Sequence, residues 1–128
     1  MAEKTEAMVQ LGLVNSRMKD YYDVWVLMRG FEYDGELLKQ AVVATFTRRK
    51  TGLPAAVPPG LSDEFAVDRQ KQTQWIAFLR RTHAQAPTEL DLEMVVGQVR
   101  RFLLPLLLAA AQPQPFLAKW PKGGPWRE

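Results

Sequence analysis

The stretch Ser16-Arg17-Met18-Lys19-Asp20-Tyr21-Tyr22-Asp23-Val24-Trp25 carries most of what the chain discloses about its fold. Met18, Tyr21, Tyr22, Trp25 and Met28 recur at helical spacing, and Gly30 after Arg29 supplies a glycine stop, so a helix is predicted that starts at Asn15-Ser16 and ends at Gly30. At 100° per residue Tyr21, Tyr22 and Trp25 cluster on one side, while Asp20 and Asp23, one turn apart, point to the other with Val24 and Leu27. A helix that is apolar nearly all round is buried on several faces. Two carboxylates on such a helix then need partners such as Lys4, Arg17, Lys19 or a metal-bound phosphate. From spacing alone, the simpler reading leaves both aspartates in water at a helix start favoured by its dipole. The aromatic stripe reads as packing rather than as a platform for nucleobases.

Upstream, Ala7, Met8, Leu11 and Val14 mark a helix from Glu3 to Val14, closed by Asn15 and Ser16. Downstream, Leu38, Ala41, Val42, Thr45 and Phe46 mark a third from Gly35 to Arg49. Thr51 to Gly60, with three prolines and two glycines, is a turn-rich loop. Ser62 heads a short acidic turn through Val67, and Asp68 caps a fourth helix in which Trp75, Ile76, Phe78 and Leu79 face the core up to about His83. Ala86-Pro87 breaks it. Thr88, three residues ahead of Asp91, opens a fifth helix through Met94, Val95, Val99, Phe102 and Leu103, which Pro105 kinks or ends near Leu104. The fold class is all-α, a bundle of four to five helices over residues 1–111, followed by an irregular Pro/Gly-rich tail over residues 112–128 that holds Trp120 and Trp126.

At 128 residues the chain is expected to form one domain. It has no cysteine, which removes disulfide scaffolds, thiolate zinc sites and thiol nucleophiles and agrees with a cytoplasmic home. A net charge of +3 permits phosphate-bearing partners without arguing for them. The N-terminus lacks the apolar stretch of a secretory signal, and the longest apolar run, Phe102 to Ala111, is half of the roughly 20 residues a membrane span needs. No membrane partner is expected. One histidine, His83, cannot make a two-histidine metal site, and the scattered glycines make neither a dinucleotide fingerprint nor a P-loop. Arg48-Arg49-Lys50, Arg80-Arg81 and Arg100-Arg101 all sit at or near predicted helix ends, where cations are favoured whether or not they touch RNA.

From Glu3-Lys4, Ala7-Met8 and Leu11-Gly12 through Asn15 to Trp25, the chain resembles the C-terminal half of AbiEii-type nucleotidyltransferases, the toxins of abortive-infection toxin–antitoxin systems. The likeness continues through Phe31-Glu32-Tyr33-Asp34-Gly35, Ala44-Thr45-Phe46 with Arg48-Arg49, Gly60-Leu61, Lys71-Gln72-Thr73-Gln74-Trp75 and Phe78-Leu79-Arg80-Arg81. It covers roughly Glu3 to Leu104, about four-fifths of the chain.

The resemblance implies transfer of a nucleoside monophosphate from an NTP to an RNA such as tRNA, with Mg²⁺ held in an N-terminal half by Gly-Ser and Asp-x-Asp elements. Lys4 matches the motif lysine that neutralises the triphosphate, with Lys19 beside it. The Lys19-Asp20…Asp23 group matches the later acidic motif, in which either Asp20 or Asp23 is the catalytic aspartate. No metal ligand is assigned. Gly-Ser and Asp-x-Asp elements do not occur in this sequence, so the chain is expected to be a truncated or split toxin, inactive alone and binding neither NTP nor Mg²⁺ tightly. Its expected partners are the missing nucleotidyltransferase half, a cognate antitoxin and tRNA, with an exposed apolar patch around the first two helices favouring self-association. The alternative is a non-enzymatic helical module that binds an antitoxin or RNA.

Overall fold

The computed structural model describes residues 1–82 and 90–128. Six α-helices are seen among the described residues: α1 (Ala2–Leu11), α2 (Met18–Gly30), α3 (Gly35–Arg49), α4 (Asp63–Val67), α5 (Arg69–Thr82) and α6 (Leu92–Ala111). The architecture is all-α. A minimal antiparallel pair joins β1 (Tyr33–Asp34) to β2 (Lys119–Trp120), with Tyr33 opposite Trp120.

Several boundaries follow from local chemistry. The α1 helix stops at Leu11, three residues short of the expected Val14, because Gly12 takes φ +56° and the chain continues as a 3₁₀ turn over Gly12–Val14. Asp34 caps α3 by accepting from the Leu37 N–H, and Ser62 caps α4 by accepting from the Phe65 N–H. Asp68 accepts from the Lys71 N–H at the start of α5. The α6 cap is Asp91, whose carboxylate accepts from the Glu93 N–H. His83, the Ala86-Pro87 break and the cap expected at Thr88 lie outside the described residues.

The α6 helix does not end at Leu104. It runs through Pro105 to Ala111, because Pro105 is exposed while Leu106, Leu107 and Ala110 beyond it are buried. A proline inside a helix costs about 3 kcal/mol, and three buried apolar side chains outweigh that. By length and composition α6 could cross a membrane. Here its apolar surface lies within the core, with Val95, Val96, Val99, Phe102, Leu103, Leu106 and Leu107 all inaccessible. Helices α2, α3 and α4 surround it.

The tail is irregular for most of its length, yet it docks. The Trp126 ring stacks on Phe102 at 5.4 Å, and Trp120 meets Phe102 edge-on at 4.8 Å. Both indoles donate to backbone carbonyls, Trp126 Nε1 to Phe102 at 2.7 Å and Trp120 Nε1 to Met28 at 2.6 Å. Gly35 permits the closure, since a Cβ there would lie 2.4 Å from the Ala118 carbonyl. Trp120→Ala is therefore expected to lower the unfolding free energy by about 3–5 kcal/mol, the range for truncating a buried large aromatic, as read by urea denaturation.

Candidate functional site

The site is built where α1 meets the beginning of α2. Its spacing is set by a backbone contact. Gly60 sits against α1 so closely that a Cβ would fall 2.2 Å from the Met8 carbonyl oxygen. On its other side, the Gly60 carbonyl accepts a 2.7 Å hydrogen bond from the Tyr21 hydroxyl of α2. Burial pushes the Tyr21 hydroxyl well above its ordinary pKa, so it remains a neutral donor. The same region is tied by Lys71 of α5, whose Nζ donates to the Asn15 carbonyl at 2.9 Å, and by the Asn15 side chain, which accepts from the Arg17 N–H.

Against this frame Lys4 projects from α1 onto the first turns of α2. Its Nζ lies 3.1 Å from Asp23 Oδ2 and 3.5 Å from Asp20 Oδ1. Arg17 Nε stands 3.0 Å from Asp20 Oδ2, and Lys19 Nζ 2.5 Å from Asp23 Oδ2. Three cations thus meet two carboxylates. The site residues named from the sequence, Lys4, Lys19, Asp20 and Asp23, are brought together, and Arg17 joins them through its i,i+3 relation to Asp20. The reading in which both aspartates lie in water fails for Asp20, which is only 4% exposed. Asp23 is half-buried.

The charges reinforce one another. Burial pulls the Lys4 ammonium down, but hydrogen bonds and charge from Asp23 and Asp20 outweigh it and hold Lys4 above its ordinary value. Burial likewise pushes the Asp23 carboxyl up, and Lys19 and Lys4 more than reverse this, leaving it below its ordinary value. Among the described residues no three His, Cys, Asp or Glu side chains converge. Magnesium demands near-octahedral oxygen coordination. Two carboxylates already facing three cations do not fit that ion by themselves.

The remaining expected features separate. Tyr21 stacks on Phe65 in the core, whereas Tyr22 faces Trp75 and Phe78, so the aromatic stripe is packing divided between two walls. Trp75 is core, as expected. Arg48 and Arg49 lie within 4 Å of Glu3, and Arg49 also faces Glu6. Arg100 and Arg101 are not near a helix end, because α6 continues to Ala111; Arg100 pairs with Asp63 at 3.0 Å and reaches the Leu61 carbonyl. Arg80 and Arg81 are exposed in the last turn of α5.

The fold and this cluster define an all-α domain with a lysine–carboxylate junction between its first two helices. The family model for the nucleotidyl transferase AbiEii toxin of type IV toxin–antitoxin systems matches residues 1–102, and the chain belongs to that family. Comparison with curated proteins and with solved structures found no match.

Two outcomes are expected. Gly60→Ala drives a methyl into the Met8 carbonyl and should cost about 1–3 kcal/mol, seen as a fall in Tm. The second concerns pH. The lowered Asp23 value contributes stability that is present above its ordinary 3.8 and lost as pH falls through the folded value. The raised Lys4 value contributes stability present below 10.5 and lost as pH rises through the folded value. The difference in unfolding free energy between the wild type and Asp23→Asn should be largest between these limits and shrink towards both. A difference independent of pH would contradict the ion-pair assignment.

Proposed function

We propose that this chain forms the helical wall of the nucleotide cleft of a toxin that transfers a nucleoside monophosphate from an NTP to an RNA such as tRNA, acting in the cytoplasm. The observation that carries this reading is Lys4 meeting Asp20 and Asp23 from another helix, at 3.5 and 3.1 Å. In such a transfer an RNA hydroxyl gives its proton to a carboxylate as its oxygen attacks the α-phosphorus, the bond to the bridging oxygen breaks, and pyrophosphate leaves with growing negative charge. Lys4 and Lys19 are the cations that exchange a carboxylate for phosphate oxygens at that moment. Asp23 is thereby released from its pairing, and Asp20, still held by Arg17, keeps the cluster oriented.

Metal ions in this reaction class would neutralise the charge that develops on the phosphates. The described residues do not fit that task, so the proposal places the metal-holding wall on polypeptide outside residues 1–128. Exposed apolar side chains on or next to the same elements, Leu13, Val14, Val26 and Phe31, support a contact surface there. An antitoxin is the further partner that family membership implies. The opposing reading is a non-catalytic module that binds antitoxin or RNA. It is favoured by the internal neutralisation of the cluster, which leaves its charges satisfied without a ligand.

Transfer of labelled NTP to tRNA decides between them. The chain alone should incorporate nothing. Supplemented with a polypeptide bearing the Gly-Ser and Asp-x-Asp elements, it should become active, and Lys4→Ala should reduce that activity by about 10²–10³-fold, the scale for losing one charge-stabilising group. Incorporation indifferent to Lys4→Ala would overturn the catalytic reading, and no incorporation in any combination would favour the binding module.

A further inference from the structure

Beside the ion cluster, an open groove of about 480 Å³ runs between the start of α2 and the middle of α5. Its lining includes Arg17, Lys19 and Asp20 from one side and Gln74, Phe78 and Arg81 from the other. The volume falls within the roughly 300–1,000 Å³ of small-ligand sites. Counted with the adjoining cluster, four cations, Lys4, Arg17, Lys19 and Arg81, stand against two carboxylates, Asp20 and Asp23. The groove therefore presents excess positive charge.

A further observation gives it chemical character. Gln74 Oε1 is a buried oxygen without a hydrogen-bond donor, whereas Asp20 Oδ2 has Arg17 Nε at 3.0 Å as its ion-pair partner. Buried acceptors are nearly always satisfied, so the Gln74 oxygen calls for a donor from elsewhere. An amide oxygen accepts from hydroxyl or N–H groups. Phosphate oxygens, in turn, suit Arg17, Lys19 and Arg81. One ligand class carries both: a nucleotide, with ribose hydroxyls or base N–H groups as donors and phosphates as anions.

We infer that this groove binds a nucleotide unit, with Gln74 and Arg81 of α5 as ligand-contacting residues additional to the Lys4–Asp20–Asp23 cluster. The inference rests on the function proposed above and extends it to a second element of the fold. Lys19 and Asp20 belong to both the cluster and the groove, so a nucleotide held by α5 would place its phosphates beside Lys4. A free NTP and the 3′ end of an RNA both offer these groups.

Calorimetric binding to the full chain tests this, using GTP in one arm and a single-stranded RNA trinucleotide with a free 3′-hydroxyl in the other. Arg81→Glu should weaken the arm that uses the groove by at least about tenfold and flatten its dependence on salt. Gln74→Leu should weaken it by about tenfold as well. A purely structural Gln74 would instead give an unchanged affinity and a higher Tm, because an unsatisfied buried oxygen has been removed. Arg127→Glu, in the tail, should leave binding unaltered. Tighter binding of GTP assigns the groove to the donor nucleotide, and tighter binding of the trinucleotide assigns it to the acceptor.

Lys4→Ala separates the two proposals. Binding that is lost in Lys4→Ala but indifferent to Arg81→Glu and Gln74→Leu overturns the groove and leaves the function standing. Binding that falls with Arg81→Glu and ignores Lys4→Ala supports the groove and removes Lys4 from the nucleotide site. Absence of binding to either probe at millimolar concentration overturns the groove.

Discussion

The geometry of the molecule depends on a glycine held between two helices. Gly60 has the Met8 carbonyl on one side at a separation no Cβ would tolerate, and its own carbonyl receives the Tyr21 hydroxyl on the other. This places α1 at a fixed distance from the first turns of α2. Without it Lys4 and the two aspartates would belong to separate surfaces, because the 3₁₀ turn that connects their helices exposes Leu13 and Val14 and contributes no buried residue of its own. A backbone approach, rather than an apolar contact, sets the electrostatics.

Those electrostatics contribute little to stability for their cost. Exposed ion pairs are worth up to about 1 kcal/mol, and buried ones give back in desolvation much of what they gain by attraction. What the cluster supplies is a set of cations fixed in place yet reachable from solvent, with Arg17 and Lys19 side chains more than half exposed. Lysines and arginines held by carboxylates can exchange them for phosphate without moving the backbone, which is the property the proposed function requires.

Much of this was legible in sequence. The end of α2, the bounds of α3, the Ser62 cap and the core placement of Trp75 follow from local spacing and capping chemistry, whereas α2 starts at Met18 and not at Asn15-Ser16. That Asp20 and Asp23 need cationic partners was one of two readings the helix pattern left open, the other being both in water. Which of the two is buried was not readable, since that depends on how α1 lies across the start of α2, bringing Lys4 against Asp20. The continuation of α6 past Pro105 was equally hidden. It depends on the proline falling on the exposed side while its neighbours Leu106 and Leu107 fall inside, a matter of rotation that a single residue type does not reveal. Gln74 and Arg81 give no separate signal, because an amide and a cation on an exposed helix are ordinary until a groove brings them beside α2.

The tail shows how residues outside the family match still bear on the site. A helix end leaves carbonyls without partners, and at the end of α2 the Met28 carbonyl accepts from both Trp120 Nε1 and the Gly123 N–H. Trp120 is in turn locked by Phe102 and Trp126. One end of α2 is therefore fixed by Tyr21 on Gly60, and the other by an indole from a segment some ninety residues further on. A helix pinned at both ends cannot tilt to accommodate a ligand. Any adjustment to a nucleotide must come from the side chains of Lys4, Arg17 and Lys19, so binding is expected to rearrange charges on a stationary helix rather than to move the helix itself.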